Sequence, residues 1–198
     1  MYRDDKTYDE IKQVIIDIYL DYDIKNFPID EKEICRKMGV ALVPYSELGL
    51  SAQPLLIKHS VHGYFVNGTA ENVPTIYYND SFESEGSQRF TIFHELKHYV
   101  FEDKDDGDDD LADFFARYFM CPIPYLLLKK IDTPNDIVAY CGTSIAVARN
   151  VYTNLRNRKN KYDYHLFRYE VPLIEHLEPV LLEVYSKEKV GDELYVGK

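Results

Sequence analysis

A chain of 198 residues, 45% of them hydrophobic, is long enough for one domain or a domain with an appendage and apolar enough for a true core. Its formal net charge of −11 disfavours non-specific attraction to nucleic acid or anionic lipid. Three widely separated cysteines, Cys35, Cys121 and Cys141, form neither a disulfide framework nor a paired-cysteine metal knuckle; with a polar start at residues 1–6 and no apolar run of membrane-spanning length, they point to a soluble cytoplasmic protein with buried free thiols.

Tyr8, Ile11, Val14, Ile15 and Ile18 recur at helical spacing and predict an amphipathic helix over 6–20. Asp30, after Phe27-Pro28-Ile29, is placed to cap a short helix over 31–38, and Gly39 to end it in the left-handed conformation. Val40–Tyr45 reads as a strand, and the apolar, partly β-branched stretch 54–66 as one or two more. Asn67-Gly68 signals a turn and Thr75–Tyr78 the returning strand. From about Ser87 the period becomes helical. Phe93, Leu96 and Val100 form one stripe and His94, His98 and Phe101 the next, so burying the first leaves the histidine edge at the rim of a cleft. After the acidic stretch Glu102–Asp110, Leu111, Phe114, Phe115, Tyr118 and Phe119 mark a second helix that Cys121-Pro122-Ile123-Pro124 ends. A short apolar helix or turn is expected at Tyr125–Lys130, helices at 134–140 and 144–158 split by Gly142, and a helical segment at 172–186 containing Pro179. The simplest organisation is a domain over 1–160 with a helical C-terminal extension, 161–198, packed on it.

His94-Glu95-Leu96-Lys97-His98 carries the chemistry. Residues at i and i+4 lie one turn apart on the same helical face. Two neutral imidazoles there can share a tetrahedral zinc ion, and the intervening Glu95 can serve as general base towards an attacking water. Catalytic zinc takes three protein ligands and keeps one position open. The remaining histidines, His59, His62, His165 and His176, fall at no spacing that supplies the third; they read as surface or hydrogen-bonded residues. A carboxylate is expected instead, from Asp103, Asp105, Asp106, Asp108, Asp109, Asp110 or Asp113. On the 109–120 helix, Asp109, Ala112, Asp113 and Ala116 share one edge. The alanines allow close approach of a neighbouring helix; if that neighbour carries the histidines, Asp109 or Asp113 points at the metal.

The segment F-T-I-F-H-E-L-K-H (90–98) followed by D-D-L-A-D-F-F-A-R-Y-F-M-C-P (109–122) resembles the ImmA/IrrE family of metallopeptidases. The resemblance implies an α+β, zincin-like fold, mostly helical, with a small antiparallel or mixed sheet packed on the H-E-x-x-H helix. It implies His94, His98 and Asp109 as zinc ligands, with Asp110 and Asp113 in reserve, and Glu95 as catalytic base. It also implies a protein substrate, a helix-turn-helix repressor whose cleavage relieves transcriptional repression in a mobile element or a stress response. Asp109 stands where the family usually has Glu, and Lys97 where it usually has Gly, which alters charge or substrate fit near the site.

Other readings compete. A calcium loop fails, because Glu102, Lys104 and Asp106 precede Gly107. The acidic run otherwise reads as a solvated loop. The 134–161 segment, with Arg149, Arg156, Arg158, Lys159 and Lys161, resembles a helix-turn-helix; a structural helix pair with a basic outer face, or a surface for an acidic partner, fits the acidic chain better than direct nucleic-acid binding. A regulator that keeps the zinc fold and acts by binding alone is the non-enzymatic alternative.

Overall fold

The computed structural model describes residues 5–81, 84–102, 109–188 and 195–196. The chain forms two compact units, one comprising Met1–Ile29, Cys121–Cys141 and Ile145–Lys198, the other Asp30–Met120 and Gly142–Ser144.

The first unit opens with helix α1 (Asp5–Asp21). The second unit follows with α2 (Glu31–Lys37), capped by the Asp30 carboxylate, which accepts from the Glu33 amide at 2.9 Å. Gly39, at φ 74°, turns the chain into β1 (Ala41–Pro44). The stretch expected to be strand divides: Gln53–His59 is helix α3 and only Gly63–Val66 is extended, as β2. Leu55-Leu56-Ile57 is too short an apolar run for periodicity to assign. Pro54 sits in the first turn of α3, where its fixed φ suits a helix and its missing amide costs nothing. Strand β3 (Thr75–Tyr78) lies in the middle of a mixed sheet of order β1-β3-β2. It pairs parallel with β1 (Ala41 opposite Thr75) and antiparallel with β2 (Gly63 opposite Tyr78).

Helix α4 (Glu85–Val100) packs on β2 and β3, and α5 (Asp109–Met120) packs along α4. Close backbone approach is needed on each side. A Cβ at Gly63 would stand 2.7 Å from Thr91 Cγ2 and from the Tyr77 carbonyl oxygen, so only glycine lets β2 seat against α4 here. Fully buried Ala112 and Ala116 face α4 from α5, and the Phe93 and Phe119 rings meet at 4.8 Å between centroids. At the start of α4, a Cβ on Gly86 would fall 2.5 Å from Thr143 C and Ser144 N. One turn on, Arg89 Nε donates to Glu31 Oε2 at 2.9 Å and its Nη1 to the Gly142 carbonyl at 3.1 Å. The three-residue strap 142–144 thus pins the beginning of the histidine helix.

The first unit continues with α6 (Ile123–Leu128), α7 (Pro134–Cys141), α8 (Ile145–Tyr162), β4 (Leu166–Phe167), α9 (Val171–Leu177) and α10 (Pro179–Glu188), and β5 (Tyr195–Val196) pairs parallel with β4. The helical segment expected at 172–186 is two helices, the second opened by Pro179. Tyr125, Leu166, Ile174 and Tyr185 form a buried cluster, with the Phe27 ring stacked on Tyr125 at 5.4 Å. Beside it Arg158 forms a bidentate ion pair with Glu170, Nη2 to Oε2 at 2.7 Å and Nη1 to Oε1 at 3.0 Å. Glu170 Oε2 also accepts from the Phe167 amide at 2.8 Å. Its side chain is 1% exposed.

One stretch, Asp109–Leu128, does reach the length and mean hydropathy of a membrane span, which qualifies the sequence reading; most of it is buried, and Cys121–Pro122 breaks it into α5 and α6. All three cysteines are buried free thiols. The expected solvated loop, with candidates Asp103, Asp105, Asp106 and Asp108, lies outside the described residues.

Removing one partner of a buried ion pair strands the other charge. Glu170→Ala is therefore expected to destabilise the protein by about 3–5 kcal/mol, measured as a shift of the urea unfolding transition. Gly86→Ala forces a methyl into the Thr143–Ser144 backbone and should cost about 1–3 kcal/mol in the same assay; an unshifted midpoint would refute the close-approach argument.

Candidate metal centre

Burying Phe93 and Leu96 completely turns the next edge of α4, that of His94 and His98, away from the core. The two imidazole centroids are 5.7 Å apart, one helical turn. Glu95, between them, is itself buried. Across from His94, α5 presents Asp109 in its first turn and Asp113 one turn later.

Asp113 Oδ1 lies 2.9 Å from His94 Nδ1, and Asp109 Oδ1 lies 4.0 Å from His94 Nε2. An ionised carboxylate only accepts, so the Nδ1 proton belongs to the bond with Asp113. In the neutral ring that leaves the Nε2 lone pair directed towards Asp109. Arg117, a turn beyond Asp113, brings Nη1 to 3.5 Å from Asp113 Oδ2 and holds that carboxylate from its other side.

The electrostatics follow the geometry. Burial pulls the His94 pKa down. The Asp113 hydrogen bond and the negative charges of Glu95, Asp113 and Asp109 outweigh it, and the imidazole sits above its ordinary value. Asp113 is held below the usual carboxylate range by its bond to His94, against the opposing effect of burial, with the charges of His94 and Arg117 adding to the shift.

Residues 46–128 match the family model Peptidase_M78, described as the IrrE N-terminal-like domain. Over those residues the chain is similar to the ImmA/IrrE family. No curated protein and no solved structure matches it. The ImmA/IrrE match spans β2, β3, α4, α5 and α6, so both histidines, Glu95 and the two facing aspartates lie inside it. The domain is of a peptidase type, in a family generally dependent on metal.

Among the described residues, no set of three or more His, Cys, Asp or Glu side chains is gathered at metal-binding distance. The 4.0 Å from His94 Nε2 to Asp109 Oδ1 gives the size of the gap. With bonds of roughly 2.0–2.1 Å, two ligands of a tetrahedral zinc stand roughly 3.3 Å apart. The Asp109 side chain that faces His94 across this distance is 82% exposed. The donor set fits zinc in kind: two imidazoles, a carboxylate, and a second carboxylate that sets the tautomer of His94.

Of the residues singled out by sequence, the structure brings His94, His98, Asp109 and Asp113 to one edge. Asp110 is exposed, and none of the remaining histidines joins them: His59 lies edge-on to Tyr64 at 4.7 Å, His165 Nδ1 is 2.9 Å from the Tyr162 carbonyl, and His176 faces Asp23 at 3.6 Å. The bond from Asp113 to Nδ1 was not readable in the sequence, where Asp113 could only be placed on the ligand edge. Lys97 is buried, with its Nζ 5.9 Å from the centroid of the Phe101 ring.

If Asp109 is the ligand and Asp113 the orienting residue, Asp113→Asn should weaken zinc binding by about 10–100-fold, and Asp109→Ala should weaken it further. Competition titration with a chromophoric chelator measures both. Unchanged affinity in Asp109→Ala would transfer the ligand role to Asp110 or Asp113.

Proposed function

We propose that this protein is a cytoplasmic zinc metalloendopeptidase that cleaves a helix-turn-helix transcriptional repressor and so relieves repression in a mobile element or a stress response. The observation that best supports hydrolysis is the pairing of α4 with α5. His94 is held at Nδ1 by Asp113, its Nε2 faces Asp109, and His98 follows one turn on. The repressor substrate rests on the ImmA/IrrE match and on the motif pair at 90–98 and 109–122.

His94, His98 and Asp109 are the residues that hold zinc in this reading. Zinc, when bound, supplies a Lewis acid that polarises the scissile carbonyl and favours ionisation of water at neutral pH. Glu95 takes the proton from the attacking water and delivers it to the leaving amine, so one carboxylate serves as base and then as acid. Glu95 is buried and lies between the two histidines on the same helix. Asp113 keeps the Nε2 lone pair of His94 available, and Arg117 keeps Asp113 ionised and in place.

The decisive experiment compares wild type with Glu95→Gln on a purified repressor encoded beside this gene, after metal analysis of both proteins. Glu95→Gln should retain zinc and lose cleavage by about 100-fold or more, and chelation should abolish wild-type cleavage until zinc is restored. A fully active Glu95→Gln protein would sink the mechanism. An active zinc protein that cleaves other polypeptides and leaves the repressor intact would sink the substrate assignment alone.

A further inference from the structure

Basic side chains around α6 and α8 in the first unit differ in what neutralises them. Arg158 is neutralised internally by Glu170 at 2.7 Å, and Lys129 by Glu178 at 2.9 Å. Lys130, Arg156 and Lys159 have no carboxylate within ion-pair distance among the described residues. These three line one cavity of about 420 Å³. Helix α8, which supplies two of them, has no acidic residue along its whole length.

The cavity is built as well as charged. Tyr152 and Tyr164 line it, and each carries one of the cations on its ring: the Arg156 guanidinium lies 5.8 Å from the Tyr152 centroid and Lys159 Nζ lies 4.8 Å from that of Tyr164. Leu127 and Leu155 contribute apolar surface. Asp132 is the one carboxylate in the lining, which leaves three cations against one anion. In a chain of net charge −11, such a concentration of uncompensated positive charge repels itself and attracts an anion.

Size and lining narrow the anion. Concave sites of about 300–1,000 Å³ take small molecules, whereas a duplex or an acidic protein surface is met by an extended face. Arg158, the cation that a helix-turn-helix reading would share with the groove, is turned inwards to Glu170. Aromatic and leucine surface suits a ligand with a flat ring in addition to its charge. Asp132 repels a bare anion but accepts hydrogen bonds from hydroxyl or amino groups, as a ribose or a base would offer.

We propose that this cavity binds an organic phosphate of nucleotide size, with its phosphates on Lys130, Arg156 and Lys159 and its ring against Tyr152 and Tyr164. None of its lining residues belongs to the candidate metal centre, and nothing in the proposal depends on zinc or on peptidase activity.

Calorimetric titration of the full chain with ADP tests this, run beside sodium phosphate and a short duplex DNA at the same ionic strength. ADP should bind one to one and more tightly than inorganic phosphate. The double variant Arg156→Ala/Lys159→Ala should weaken it by roughly tenfold or more, Lys130→Met on a different element should weaken it independently, and Arg149→Ala, outside the cavity, should leave it unchanged. The exposed positions of Arg156 and Lys159 make loss of folding an unlooked-for result, checked by circular dichroism. No heat with ADP would overturn the proposal. So would phosphate binding as tightly as ADP, or duplex binding through these cations while ADP remains silent.

Discussion

The candidate site depends on how closely other backbones approach α4. A helix that carries functional groups on the edge beside its buried stripe must not rotate, since a turn of a few tens of degrees would carry His94 into the core or out into water. The molecule prevents this by removing side-chain volume at the contacts. Gly63 lets β2 reach Thr91, Ala112 and Ala116 let α5 lie alongside, and Gly86 lets the 142–144 strap touch the first turn. Arg89 adds a directional bond at the same end, to Glu31 and to the Gly142 carbonyl. Small residues set the distance and the guanidinium sets the rotation.

With α4 held in this way, the two aspartates of α5 take unequal parts. Asp113 is half-buried, bonded to His94 and flanked by Arg117, so its conformational freedom is already lost before any metal arrives. Asp109, a turn nearer the exposed start of the helix, remains solvated. This division suits a metal site: an orienting carboxylate should be rigid, because it sets the direction of a lone pair, whereas a ligand carboxylate can close on the ion when it binds. An aspartate at position 109 reaches one methylene less far than a glutamate, and its Oδ1 stands 4.0 Å from His94 Nε2.

The first unit shows the same economy with charge of the opposite sign. Arg158 is largely shielded, and buried Glu170 answers it with both oxygens while also accepting from the Phe167 amide. The pair closes the turn that leads from α8 into α9. Its internal use changes the reading of the basic run in α8, because Arg158 is paired inside the fold while Arg156 and Lys159 line a cavity with Lys130.

The sequence by itself determined what depends on neighbours a few residues away. The Asp30 cap, the left-handed Gly39, the span of α5 and the shared edge of His94 and His98 all follow from helical period and terminus chemistry. So does the resemblance to the ImmA/IrrE family, since its two motifs are local and their spacing is short. Where local signals were ambiguous the structure chose: α3 formed where a strand was expected, because a short apolar run fits either state and the proline in its first turn favours a helix. Only the tertiary structure could decide which atom of His94 each aspartate meets, that Arg89 reaches a carbonyl 53 residues away, or that Arg158 is internal while Lys130, Arg156 and Lys159 converge. Those facts depend on how elements distant in sequence are brought together. Periodicity tells which face a side chain occupies; only packing tells what stands opposite it.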